Sequence, residues 1–278
     1  MSVFTAEDLS SDYYRSTGKM LVQVYSQYFP IYPPRSASDY DKRKEMKVVN
    51  EQIGIGYDID SLYLKEFFTN KYKHRLNKDG KSRVDFFMNE NLSFADLLKN
   101  ITKRVNDVDY DCYVFIFLTF VDNNGRFQFN DPTFELGLQP FDKIVDKVKE
   151  SNKTHGKPKV FVLQSDDLEL LHEICYLKAA PMEEEIVKQK IPTDADRLVI
   201  QSTIPQKLAG GEVSFLIRAF VEAIQDNPEE LDMLNLTTEI NQKVKCMTEP
   251  MKEERKSKNM KELQVPITTS TLTKLLII

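Results

Sequence analysis

An α/β sandwich built on a mainly parallel sheet is the fold class this sequence predicts, and three observations predict it. The runs YVFIFLTF at 113–120, VFVLQ at 160–164 and LVIQS at 198–202 are almost wholly apolar. Strands read that way when both faces of a sheet are covered. Segments with apolar residues at helical spacing lie between these runs. Strand and helix patterns therefore alternate, as they do where parallel strands are joined by crossover helices.

The N-terminal stretch 1–40 contains Tyr32-Pro33-Pro34, which breaks any helix there. Residues 20–29 have the pattern of a short amphipathic helix. The whole stretch reads as an N-terminal extension, too short for a recruitment domain. Strands are predicted at 46–49, 113–120, 160–164, 198–202 and 265–271. A helix is predicted over 60–73, with Leu62, Leu64, Phe67 and Phe68 as its apolar positions. A second is predicted over 93–108, where Ser93 followed by Asp96 comes close to a capping box. Helices over 142–151, 214–225 and 229–245 complete the set. Two charged segments, 169–189 and 250–262, read as solvated loops.

The chain has 278 residues, 41% hydrophobic and 29% charged, enough for a sizeable core in one large domain or two small ones. A net charge of -5 gives no reason to expect nucleic acid or an anionic membrane as partner. The three cysteines, Cys112, Cys175 and Cys246, are widely spaced and form no CxxC pair. Neither a disulfide framework nor a zinc site is indicated, so the expected home is the reducing cytoplasm. The N-terminus has no signal-peptide pattern, and no apolar stretch approaches a membrane span.

Several motifs, in order from about Lys47 to the C-terminus, carry a family resemblance. Residues 54–60 (GIGYDID) resemble the RSGTDVDA segment of caspases, the cysteine proteases that cut after aspartate. Residues 156–164 (GKPKVFVLQ) resemble the strand leading into the QACRG signature, and 190–196 (KIPTDAD) resemble the KIPVDAD start of the small subunit. Residues 201–205 (QSTIP) resemble the YSTAPG substrate loop, and 264–274 (QVPITTSTLTK) the last strand, through which caspases pair. The resemblance implies a three-layer α/β/α sandwich around a mostly parallel six-stranded sheet. It divides one joint domain into a large-subunit-like half at 41–167, a linker at 168–190 and a small-subunit-like half at 191–278. It implies no cofactor and no metal.

The departures from that pattern decide the functional expectation. Gln164 matches the signature, but Asp166 stands where the nucleophilic cysteine would be. A carboxylate lacks the nucleophilicity of a thiolate. Phe120 stands where the resemblance puts the catalytic histidine, close to the family's separation of about 50 residues from the nucleophile. A phenyl ring cannot transfer a proton. Caspases grip an aspartate side chain with two arginines and a glutamine. Here Gln164 is retained, Gly54 replaces the first arginine, and the short loop 206–213 has only Lys207 as a cation. Arg218 lies in a predicted helix and is expected to face solvent. There is no tryptophan for the aromatic wall beside the substrate, and the linker has no aspartate, so the chain is expected to stay intact.

The resulting expectation is a catalytically inactive caspase homologue, a decoy in apoptosis. It regulates an active caspase by heterodimerisation through Ile267, Thr268, Thr269, Ser270 and Thr271, activating or inhibiting it. A homodimer is the second arrangement. The rival class is a hydrolase. His172 and Cys175 sit three apart and could form a nucleophile–base pair, and Asp122, Asp166 and Asp167 could hold a divalent metal at one sheet edge. The plainer reading makes those aspartates turn and cap residues, and Cys112 and Cys246 small apolar or incidental residues. His155 then has a structural or surface role, and His74 suits a helix C-terminus.

Overall fold

In the computed structural model, the described residues are 12–14, 19–27, 59–71, 83–130, 137–167, 195–210, 212–227, 232–257 and 263–277. Two strands form the centre of the sheet. β3 (Cys112–Val121) is buried at every position, and β6 (Lys159–Asp167) is buried up to Asp166. They run parallel, Tyr113 opposite Lys159 through to Val121 opposite Asp167. Burial of consecutive side chains requires cover on both faces, which is why both sequences lack the alternation of a half-exposed strand.

The main ladder is β2-β1-β3-β6-β7-β8. β1 (Met20–Ser26), β2 (Val84–Glu90) and β7 (Arg197–Ser202) are parallel to the centre, and β8 (Ile267–Ser270) closes one edge antiparallel to β7. Two short strands, β4 (Arg126–Gln128) and β5 (Leu138–Pro140), pair antiparallel with each other beside the end of β3. The main ladder has the six strands that the resemblance implies, of which β3, β6, β7 and β8 coincide with runs predicted from the sequence, and β4 and β5 bring the sheet to eight.

Among the described residues, five helices form the outer layers. On one face, α1 (Ile59–Glu66), α4 (Phe215–Asp226) and α5 (Met233–Thr248) cover Val22, Val24, Ile116, Leu118 and Val162. On the other, α2 (Phe94–Asp107) and α3 (Asp142–Lys149) cover Leu21, Tyr113, Phe115, Phe117 and Phe161. The cap of α2 is the expected one: Ser93 Oγ accepts from the Asp96 amide at 3.1 Å and donates to the Asp96 carboxylate at 2.8 Å. That satisfies one of the unpaired amides of the first turn.

Three expectations need correction. Residues 20–29 do not form an amphipathic helix, and the stretch 1–40 is not all extension, because Met20–Ser26 is a buried strand between β2 and β3. The run MLVQVYS is apolar and β-branched enough for a fully covered strand, and periodicity alone does not separate that from a short helix. Residues 250–262 are not all loop: a 3-10 turn at Glu249–Met251 leads into α6 (Lys252–Ser257). Pro250 stands in the first turn, where a missing N–H is harmless, and KEERKS consists mostly of good helix formers. The last strand is shorter than 265–271, and Thr271 lies beyond its end. The expected strand at 46–49 and loop at 169–189 fall outside the described residues.

Behind β7 and β8, three distant parts of the chain meet. Tyr14 donates its hydroxyl to Asp196 Oδ1 at 2.6 Å, and Thr273 Oγ1 donates to the same oxygen at 2.5 Å. Burial, followed by the neighbouring Asp196 carboxylate, pushes the Tyr14 phenol from 10.0 up to about 12. A phenol raised on folding contributes stability that is fully present below pH 10 and is lost as pH rises through about 12. Tyr25, Tyr110 and Tyr113 are also pushed upward, each chiefly by burial. We expect these tyrosines to ionise late and together with alkaline unfolding, followed by tyrosinate absorbance and circular dichroism. Tyr14→Phe should move the alkaline midpoint, and an unmoved midpoint would contradict the assignment.

Candidate functional site

The positions that the sequence singles out converge at the C-terminal ends of β3 and β6, the usual location of sites in parallel sheets. Phe120 and Asp166 lie far apart in sequence but are direct register partners on adjacent strands. Gln164 is the register partner of both Leu118 and Ser202. Residues two apart on a strand share a face, so Gln164 and Asp166 point the same way. That is the face of α4 and α5, where Phe120 packs into the core with Leu118 and Val162.

Asp166 is only 2% exposed, and its carboxylate is engaged inside the protein. Gln164 Nε2 donates to Asp166 Oδ1 at 2.7 Å, and the Gln206 amide donates to Asp166 Oδ2 at 3.0 Å. Gln164 Nε2 also donates to the Ile204 carbonyl at 2.7 Å. An amide nitrogen has two hydrogens, so these two bonds use the donor capacity of Gln164. The Asp167 amide adds a bond to the Thr203 carbonyl at 3.1 Å. Together these bonds tie the end of β6 to the 203–206 segment after β7, which continues into a 3-10 turn at Gln206–Ala209. A carboxylate kept from water needs such donors, and here they come from its own strand and the neighbouring segment.

The opposite side of the same strand ends is also satisfied internally. Ser165 Oγ donates to the Ser202 carbonyl at 3.1 Å and accepts from Gln201 Nε2 at 3.2 Å. Thr119 Oγ1 donates to the Gln128 carbonyl at 2.7 Å.

Asp122 does not join Asp166 as part of a metal site. Its Oδ1 accepts from the amides of Asn124 and Arg126, and its Oδ2 takes a two-pronged contact from the Arg126 guanidinium at 2.9 and 2.6 Å. It is a turn residue between β3 and β4, where Gly125 adopts φ 69°. Among the described residues no group of His, Cys, Asp and Glu has a metal-holding arrangement. Asp60, from the 54–60 motif, is buried and accepts from the Ser214 amide at 2.7 Å, joining the first turn of α1 to the start of α4. Arg218 pairs with Glu222 and Glu212 on the surface, as expected for a solvent-facing residue.

The described cysteines lie away from these strand ends. Cys112 opens β3 and is therefore at the far end of the sheet from Phe120. Burial, followed by the nearby Asp111 charge, pushes its thiol from 9.0 up to about 12, so thiolate is scarce at neutral pH. Cys246 is exposed on α5. We expect a small alkylating reagent to modify Cys246 in the native protein, and Cys112 only after denaturation. Equal native rates measured by peptide mass mapping would refute this. His155 is exposed and near the Lys149 carbonyl, before β6 begins. Gly54, His74, His172 and Cys175 lie outside the described residues, and so does the side chain of Lys207.

The ties from Asp166 and Gln164 to the 203–206 segment are what sequence reasoning missed. They link residues 40 apart, and no local pattern announces them.

A mostly parallel sheet with helices on both faces and a candidate site at these strand ends defines an α/β domain. The chain belongs to the caspase family: the model of the caspase domain matches residues 29–277. It is 25% identical to Caspase-3 of Bos taurus over 224 residues, covering 79% of this chain and 75% of that one. It is 26% identical to Caspase-1 of Drosophila melanogaster over 238 residues, covering 80% of this chain and 66% of that one. Its fold is similar to the solved structure of pro-sf-caspase-1, with TM-score 0.59 at 21% identity over 97% of this chain and 99% of that one. Caspase-1 from Spodoptera frugiperda gives TM-score 0.59 at 20% identity, over 100% of this chain and 95% of that one. The architecture expected from the sequence, a caspase-like α/β sandwich, is therefore the one observed.

Proposed function

We propose that this chain is a catalytically inactive caspase homologue that regulates an active caspase by pairing with it through the β8 edge. The observation that carries the reading is the internal engagement of Asp166. At the position where the resemblance puts a nucleophile, a buried carboxylate is tied to Gln164 and to the Gln206 amide. Phe120 at the histidine position supports the same conclusion, since it is core packing with nothing to accept a proton.

The pairing half of the reading rests on β8. It is the edge strand beyond β7, and Ile267 on it is 58% exposed, an unusual place for a large apolar side chain. Edge strands invite β-augmentation by another chain. Thr268 and Thr269 are half-buried and Ser270 is exposed, so the strand offers small β-formers that another strand can pack against. Thr271 makes a different contact: its amide donates to the Arg197 carbonyl at 2.7 Å, at the end of the β7–β8 ladder.

The test is size-exclusion chromatography of the full chain with active caspases, followed by peptidase assays on the complex. The expected result is co-elution with a changed peptidase rate, in either direction. No complex and no change in rate would overturn the proposal, and so would peptidase activity of the chain alone.

A further inference from the structure

The hairpin that joins β3 to β4 carries a reactive pair of residues at its tip. The connection reads Asp122-Asn123-Asn124-Gly125-Arg126, and Asn124 is the one asparagine of the sequence that is followed by glycine. The strands pair at Val121 opposite Phe127, and the Asp122 amide donates to the Arg126 carbonyl at 3.1 Å. The Gly125 amide donates back to the Asp122 carbonyl at 2.9 Å, with Gly125 at φ 69°. That is the hairpin loop in which a tight turn is followed by a left-handed residue, a position that favours glycine.

The base of this loop is held and its tip is not. Asp122 Oδ1 accepts from the amides of Asn124 at 3.0 Å and Arg126 at 2.8 Å. Asn123 and Asn124 are exposed. The side chain of Asn124 makes no hydrogen bond among the described residues. A Cβ added at Gly125 would meet nothing within 4 Å, so the space beside the Asn124–Gly125 peptide is open.

An asparagine in front of glycine can be attacked by its own backbone. The Gly125 nitrogen gives up its proton to solvent and bonds to Asn124 Cγ. The bond from Cγ to the side-chain nitrogen breaks, and that nitrogen takes a proton from water and leaves as ammonia. A succinimide ring remains. Water then adds at either ring carbonyl and opens it, which leaves aspartate or isoaspartate at position 124. The net exchange is one water in and one ammonia out, with no change of oxidation state. Glycine favours ring closure because no Cβ obstructs the approach of its nitrogen and its φ is free to adjust. The bond from Gly125 to Asp122 has to open first, and an exposed tip opens at far lower free energy than the sheet behind it.

We propose that Asn124 is a site of spontaneous deamidation in the folded protein, and that the product loosens the β3–β4 hairpin while the sheet stays intact. The new carboxylate stands close to Asp122, and like charges there repel. Isoaspartate also routes the backbone through the side chain, which lengthens a loop closed by the Gly125–Asp122 and Asp122–Arg126 bonds. The hairpin bears on the strand ends because the Gln128 carbonyl holds Thr119 Oγ1, next to Phe120. Neither half of the inference depends on the function proposed above. Asn106, which precedes Asp107, is a natural control: its Nδ2 donates to the Thr102 carbonyl and its Oδ1 accepts from Ser151, each at 2.8 Å.

The test is incubation of the folded full-length chain in neutral and in mildly alkaline buffer, followed by peptide mass mapping and isoaspartate-specific methylation. Conversion at Asn124 should exceed that at Asn123 or Asn106 by about tenfold or more, since glycine follows only Asn124. It should be faster in the alkaline buffer, where the attacking nitrogen loses its proton more often. Asn124→Gln should lose the signal, because its longer side chain must close a larger ring. Hydrogen exchange on the aged chain should rise at the Gly125 and Arg126 amides and stay unchanged at Val114 and Val162. Intact Asn124 in the folded chain, under conditions that convert a free peptide of residues 121–127, overturns the site. Equal conversion at Asn106 overturns it as well. Unchanged exchange at Gly125 and Arg126, or an equal rise at Val114 and Val162, overturns the local loosening.

Discussion

Asp166→Ala should lower the stability of the protein by about 3 kcal/mol and should not create a peptidase. The truncation leaves the Gln206 amide and one of the Gln164 amide bonds without their buried acceptor. An unpaired buried donor costs about 1–3 kcal/mol, and here one substitution orphans two. Urea denaturation would report the change as a lower midpoint with an unchanged slope. The segment 203–206 should also exchange faster, because its tie to β6 is lost. Asp166→Cys combined with Phe120→His should remain inactive on aspartate-containing peptides. The new imidazole would enter a core lined by Leu118 and Val162, and Gln164 would still be bonded to the Ile204 carbonyl. Wild-type stability in Asp166→Ala would show that the tie is not what holds the segment. Robust turnover by the double variant would mean that the cleft is intact after all.

Thr269→Arg should weaken the proposed pairing with an active caspase by at least about tenfold, as expected for a charge placed at the centre of an edge-to-edge contact. Thr269 is half-buried and lies opposite Val199 in the β7–β8 register, so it sits in the middle of the short strand. A long charged side chain on an edge strand is the usual natural device against edge pairing. The chain itself should fold normally, because β8 contributes one ladder and no core residue. Surface plasmon resonance against the partner, with circular dichroism as the folding control, reads both effects. Unchanged affinity with native folding would move the contact away from β8.

The sequence-legible part of the fold is the part with the least choice. β3, β6 and β7 combine β-branched and aromatic residues in apolar runs too short for a buried helix, and α2 begins at a serine whose cap is visible in the sequence. β1 was legible only as an apolar run, since MLVQVYS satisfies a covered strand and a short helix equally well. β2 was missed because VDFFMNE is half-exposed along its length and carries Asp85 inside the strand. At the site, Phe120 and Asp166 were recognisable one at a time, but their direct adjacency is a consequence of strand register. The bonds from Asp166 and Gln164 to the 203–206 segment depend on where β7 lies beside β6. No spacing rule within a single segment encodes that. Tyr14 and Asp196 stand 182 residues apart, and only the folded sheet brings them together.

The chain between β6 and β7 joins two strands that are already neighbours at the heart of the sheet, paired from Lys159 with Arg197 to Gln164 with Ser202. Covalent continuity there is therefore redundant once the protein has folded. Its main effect is on the unfolded chain, where it limits how far the two halves can drift apart. A protease cut in that connection would leave both fragments clasped by the shared core, with the break invisible to size and shape. It would appear only as a loss of reversibility after denaturation, when two pieces must find each other again.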